Sequence, residues 1–242
     1  MKFLLGLFDN PYIDPSLKSK VFHTPESQAL ALQAAQQSIC LLKNDNGLLP
    51  LKASDHTIAV IGPLATSTYL GGYTNSDGKG ISILDGLKEK AGNTHKLSYE
   101  KGYDSEAGSL QSGLLKKALD LVRKSEVAIV VLGEDTKIVG EGKDRANIDL
   151  DENQMNLIKA LHKTGKPIVV VLFNGRPLTI NWVAQNIPSI LETWFSGEKG
   201  GLAIVDVLLG NVNPSGKLPI TFPRSIGQVP FYYNHKPTSY HR

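Results

Sequence analysis

The stretch "EVAIVVLG", Glu126–Gly133, decides the fold. Its apolar residues are mostly β-branched and run without a break into a glycine, lacking the in-out alternation of a half-exposed antiparallel strand. Such a run is a strand with both faces covered. "TIAVIG" (57–62), "PIVVVLF" (167–173) and "SILETWF" (189–195) repeat the pattern. Helix-forming segments alternate with them: "SLQSGLLKKALDLVRKS" precedes the run at 126–133, "DENQMNLIKALHKTG" precedes that at 167–173, and "GGLAIVDVLLG" follows that at 189–195. Asp151 and Gln154 stand at capping-box spacing, and Gly165 stands where a glycine closes a helix. This alternation predicts an α/β protein: a three-layer α/β/α sandwich around a mostly parallel sheet, with irregular N- and C-terminal extensions. A further helix is predicted from Thr24, an N-cap followed by Pro25, to about Asn44, where "NDNGLLPL" supplies turn chemistry.

The composition bounds the function more weakly. The 242 residues are 41% hydrophobic and 20% charged, enough for one large core and unlike a disordered or fibrous chain. The net charge of +3 is spread along the sequence, so no basic patch points to nucleic acid or anionic lipid. The single cysteine, Cys40 in "SICLLKN", excludes an internal disulfide and reads as a small core side chain. No apolar run approaches the roughly 20 residues of a membrane helix. "MKFLLGLFDN" breaks off at Asp9 without a cleavage site, so no signal peptide is predicted in this chain.

In an open α/β sheet, ligands gather at the carboxyl ends of the strands. The loop that follows "EVAIVVLG" therefore belongs at the functional edge. It contains "VGEGKDRANIDL", 139–150, in which Glu141 sits between Gly140 and Gly142. A helix interior would exclude both glycines and a buried strand would exclude the charges. The segment is either a functional loop or a solvated surface turn. Glu134, Asp135, Asp144 and Arg145 lie on the same stretch. "IGPLATSTYLGG" follows a strand but fits neither dinucleotide nor phosphate-loop spacing. The six histidines are dispersed, with no pair at ligand spacing, and no serine occupies a nucleophile elbow. No metal and no cofactor are predicted. What remains is carboxylate chemistry, and a glycosidase needs two carboxyl groups across one bond.

At this point the chain resembles the C-terminal α/β-sandwich domain of glycoside hydrolase family 3, the β-glucosidase type. The markers are "GLFDNPY", "SICLLKNDNGLLPL", "IAVIGPLA" with "GGY", "VGEGKDRANIDL" and "GNVNPSGKLPITFPRSIGQVPFYYNHKPT", in that order along nearly the whole sequence. The resemblance implies a retaining hydrolase of terminal β-D-glucosyl residues, acting on β-linked oligosaccharides or aryl and alkyl β-glucosides. In similar enzymes the nucleophile lies on an N-terminal barrel, and the sandwich lends a glutamate acid/base on a long loop. Glu141 matches that glutamate. Asp144 and Arg145 match the "DR" that follows it and either brace the loop or pair with each other. Tyr73 matches an aromatic ring beside the substrate's aglycone side, or else packs at a surface.

The resemblance also divides the chain: 1–23 as a linker after a barrel that is itself absent, 24–222 as the sandwich, and 223–242 as an extension toward a further domain. The isolated chain is then expected to be inactive. The barrel is its expected partner, and the full-length parent is expected in the periplasm or outside the cell. The "NPSGKLP" bend reads as a structural connector. Trp194 reads as packing, and Ser196 replaces a proline common in relatives. The alternative from the residues alone is a non-catalytic carbohydrate-binding or interaction module of the same fold.

Overall fold

The computed structural model describes residues 1–52, 57–74, 78–91, 94–105 and 110–231. Within them the predicted apolar runs form adjacent strands: β2 (Thr57–Ile61), β4 (Val127–Gly133), β5 (Ile168–Phe173) and β6 (Ser189–Glu192). Two strands not predicted, β1 (Cys40–Asn44) and β3 (Lys96–Glu100), complete a six-stranded sheet in the order β1-β6-β5-β4-β2-β3. All pairings are parallel except that of β1 with β6.

Strand geometry sends successive side chains to opposite faces, and the core divides accordingly. Val127, Ile129 and Val131 of β4 join one cluster, whereas Ala128, Val130 and Leu132 join the other. The first cluster is covered by α2 (Pro25–Ser38), α3 (Ile83–Ala91) and α7 (Gly200–Leu208). The second is covered by α4 (Ser112–Arg123), α5 (Glu152–His162) and α6 (Asn181–Asn186). A short α1 (Lys18–Val21) precedes them. The three-layer α/β/α architecture follows from a sheet that is apolar on both sides.

Helix α7 is buried along its whole length, which explains its unbroken apolar sequence. Its one charge, Asp206, is met by Lys90, by Gln36 Nε2 at 2.7 Å and by Asn211 Nδ2 at 3.2 Å. Against the cost of burial, these hydrogen bonds hold the Asp206 carboxyl below the usual range.

Three local expectations are corrected. Helix α2 starts as predicted, with Thr24 Oγ1 accepting from Ser27 N at 3.2 Å and Pro25 in the first turn, but it stops at Ser38 rather than near Asn44. Residues 40–44 pair antiparallel with β6 instead, with an irregularity between Leu41 and Lys43. Covering the sheet's open edge satisfies backbone groups of both strands and outweighs a helix propensity of a few tenths of a kcal/mol per residue. The strand begun at Ser189 stops at Glu192, because the chain turns at Trp194 with φ of 52°. Asp151 does cap α5, accepting from Asn153 N at 2.8 Å, but Gln154 completes no capping box. Its amide turns inward and bonds both the N–H and the C=O of Gly133, each at 2.8 Å.

Gly165 adopts φ of 72° just beyond α5, as a closing glycine does. Cys40 is buried. The "NPSGKLP" bend packs against the junction between α2 and β1, where Gly216 N donates to Ile39 O at 2.9 Å. The N-terminal segment leaves Phe3, Leu4, Phe8, Tyr12 and Ile13 exposed. Residues 232–242 of the expected C-terminal extension lie outside the described residues. No helix among the described residues is long and apolar enough to cross a membrane.

Candidate active site

The site is built on the carboxyl edge of the sheet, where β4 ends at Gly133. The next residue, Glu134, is only 1% exposed. Its carboxylate accepts from Arg145 Nη1 and Arg176 Nε, each at 3.0 Å, and from Gly175 N at 3.2 Å. Asp135 then caps a short 3-10 turn, Thr136–Ile138, accepting from Lys137 N at 2.8 Å. The chain leaves the sheet and carries Glu141 into solvent on a tight turn closed by Lys143 N donating to Gly140 O at 3.1 Å. Gly140 and Gly142 have φ of 142° and 70°, values that side-chain-bearing residues rarely adopt. The two glycines are therefore a geometric requirement of the Glu141 mount.

The loop returns through Ile148 and Leu150, both buried. An isolated parallel bridge joins Asp149 to Thr179, whose hydroxyl donates to the Asp149 carboxylate. Both ends of the Glu141 excursion are thus fixed while its tip stands exposed.

Two of the sequence-predicted site residues meet. The Tyr73 hydroxyl donates to Glu141 Oε2 across the edge, and this bond raises the phenol above its ordinary value. Tyr73 is 86% exposed, so its ring is not packed in the core. Arg145 pairs with Glu134 rather than with its neighbour Asp144, which stands exposed. Trp194 lies half-buried, its ring 6.1 Å from that of Phe222. A groove of about 540 Å³ opens beside Arg145 and Arg176, walled mainly by apolar side chains such as Ile148, Ile220 and Phe231. Glu141 does not line it.

Three partners escaped the sequence reading: Arg176, Asn174 and Glu192. The signals were a charged residue directly after "PIVVVLFNG" and an acid inside the apolar "SILETWF". Glu192 is fully buried at the end of β6, with Asn174 Nδ2 at 3.2 and 3.1 Å from its two oxygens and Trp194 N donating at 2.9 Å. Burial first, and the nearby Glu134 charge second, push its pKa up to about 8 in spite of those hydrogen bonds.

A carboxyl with a raised native pKa stabilises the fold in its protonated form. Its contribution is complete below its ordinary value of 4.5 and is lost as the pH rises through about 8. Between these limits the native chain is expected to lose stability relative to Glu192→Gln, with a slope of up to about 1.4 kcal/mol per pH unit. Urea midpoints of both chains at pH 5, 6.5 and 8 test this; curves that stay parallel would rule it out.

Among the described residues no group of three or more His, Cys, Asp or Glu is placed to hold a metal ion. The chemistry on offer is proton transfer by an exposed carboxyl, Glu141, whereas Glu134 and Glu192 at the ends of β4 and β6 are buried.

Comparison with known proteins shows the family and the fold. Residues 39–242 match the Glycosyl hydrolase family 3 C-terminal domain. A β-xylosidase of Formosa agariphila is 45% identical over 98% of the chain, and a periplasmic β-glucosidase of Salmonella typhimurium is 38% identical over 97%. The chain spans about a third of these relatives, 34% of each. Among solved structures, a β-glucosidase of Listeria innocua in complex with isofagomine superposes with a TM-score of 0.87 at 38% identity, over 98% of this chain and 33% of that one. A β-glucosidase of Erythrobacter marinus gives 0.88 at 36% identity, over 100% of this chain and 36% of that one. With its family-matched residues folded into the sandwich that these structures share, the chain belongs to glycosyl hydrolase family 3, as its C-terminal domain.

Proposed function

We propose that the chain supplies the general acid/base, Glu141, of a retaining β-glycosidase whose nucleophile lies on an N-terminal barrel domain of the same protein. The observation that carries this reading is the placement of Glu141: exposed, at the carboxyl edge of the sheet, on a turn held between two glycines with positive φ. Glu134 and Glu192 cannot reach a substrate held there, because both are buried and engaged. A retaining mechanism needs a second carboxylate about 5 Å from the first, and another domain is its source.

In the first step Glu141 donates its proton to the glycosidic oxygen as the nucleophile attacks the anomeric carbon. In the second it takes a proton from the water that releases the sugar. Tyr73, donating to the Glu141 carboxylate, sits where the departing aglycone passes and orients the acid between turnovers. The substrate is a terminal β-D-glucosyl unit. A terminal xylosyl unit is the second reading, favoured by the 45% identity to a β-xylosidase. Export to the periplasm or cell exterior is inferred from the periplasmic β-glucosidase relative. The exposed apolar N-terminal segment, with Phe3, Leu4, Phe8 and Tyr12, suits packing against the barrel.

The deciding assay uses 4-nitrophenyl β-glucoside and β-xyloside with the purified chain, alone and mixed with the separately expressed barrel. Turnover is expected only in the mixture, and the faster substrate names the sugar. Turnover by the chain alone would overturn the division of labour and favour a complete site within these residues. A mixture that forms a complex but stays inactive would favour a non-catalytic interaction module.

A further inference from the structure

We propose that Glu134 and Arg176, with Arg145, form a clamp that positions the Glu141 turn; the inference rests on the reading of Glu141 as the acid/base. Arg176 reaches in two directions. Its Nε binds the buried Glu134 carboxylate at 3.0 Å, while its Nη2 donates to Ile138 O at 3.4 Å and to Lys143 O at 3.3 Å. Those two carbonyls stand on either side of the Gly140–Glu141–Gly142 turn.

A turn with two glycines and an exposed tip has little backbone bonding of its own to fix it: one backbone hydrogen bond, Lys143 N to Gly140 O, closes it among the described residues. Bonding both shoulders to one Nη2 sets their separation while Nε holds Glu134, and a lysine's single ammonium lacks the fixed fork that makes the two sets of contacts together. Glu134 in turn fixes Arg176. It is rooted at the end of β4, almost wholly buried, and its second arginine, Arg145, belongs to the descending limb of the same loop. One carboxylate therefore locks the departure, the shoulders and the return of the excursion to the central strand. A misplacement of about 1 Å at a reacting group can cost about 100-fold in rate, which is the scale such a clamp protects.

Arg176 and Glu134 are positioning residues, so their test must separate position from folding. In the chain itself, the Lys143 carbonyl held by Arg176 belongs to a peptide bond that trypsin recognises. Cleavage after Lys143, timed by mass spectrometry, is expected to accelerate about tenfold in Arg176→Gln and Glu134→Gln, as charge-assisted hydrogen bonds are lost. Cleavage after Lys88, on α3, serves as the internal control and is expected to stay unchanged. Equal acceleration at both sites would mean global loosening and would overturn the clamp, as would no acceleration at Lys143.

In the barrel-containing enzyme, Arg176→Gln is expected to lower kcat on an unactivated disaccharide about 10- to 100-fold with little change in KM. Arg176→Lys is expected to recover little of this. The same substitution placed on Glu141→Gln is expected to cost nothing further, since a clamp without its acid has nothing to position. Additive losses would overturn the proposal. If instead Glu141→Gln is harmless while Lys143 is still exposed by Arg176→Gln, the clamp stands and the acid/base reading falls.

Discussion

Glu141→Gln in the barrel-containing enzyme is expected to reduce hydrolysis of an unactivated β-glycoside by about 10³-fold, the range that a positioned acid/base contributes. The loss is selective. A dinitrophenyl glycoside leaves without protonation, so its first step is expected to persist as a burst of phenol equal to the enzyme present. Turnover then stalls, because glutamine cannot take a proton from water, and the glycosyl-enzyme accumulates. Azide, which needs no base, is expected to restore turnover and to yield a β-glycosyl azide. Equal retention of activity on both substrate types would remove Glu141 from the mechanism. Loss of the burst itself would indicate damage to the nucleophilic step and place the defect elsewhere.

The second large effect lies in the core. Gly133→Ala is expected to destabilise the chain by about 3 kcal/mol or more. Gly133 has φ of 138°, and a Cβ there would lie 2.1 Å from the Phe173 carbonyl oxygen on the neighbouring strand. That oxygen also accepts from Glu134 N at 2.9 Å, so it cannot simply move aside. Gln154 grips both backbone groups of the same residue. Relief of the clash displaces the end of β4, which carries Glu134 and hence the anchor of both arginines. Urea denaturation of the chain measures the loss, and a midpoint within error of the parent would show that the strand end yields without cost. Ala128, in contrast, sits in regular strand geometry between two core layers, so the penalty at Gly133 reflects its conformation and not burial alone.

The sequence by itself determined the buried parallel strands, the helices that separate them and the edge on which the Glu141 loop lies. These features are local: an unbroken β-branched run, a capping residue or a glycine pair carries its own physical signature within a few residues. The sequence also supplied Glu141, Tyr73, Asp144 and Arg145 as candidates, although their roles came from resemblance. Only the tertiary structure decided that residues 40–44 leave the helix to cover β6, since the partner strand lies about 150 residues further along. Only it turned Gln154 from a helix cap into a tether for Gly133, and Arg145 from a neighbour of Asp144 into a ligand of Glu134. The same holds for Arg176 and Glu192, whose surroundings are assembled from β4, β5, β6 and the Glu141 loop. Charge pairing depends on distances in space and on desolvation, and neither is written in the spacing of residues along the chain.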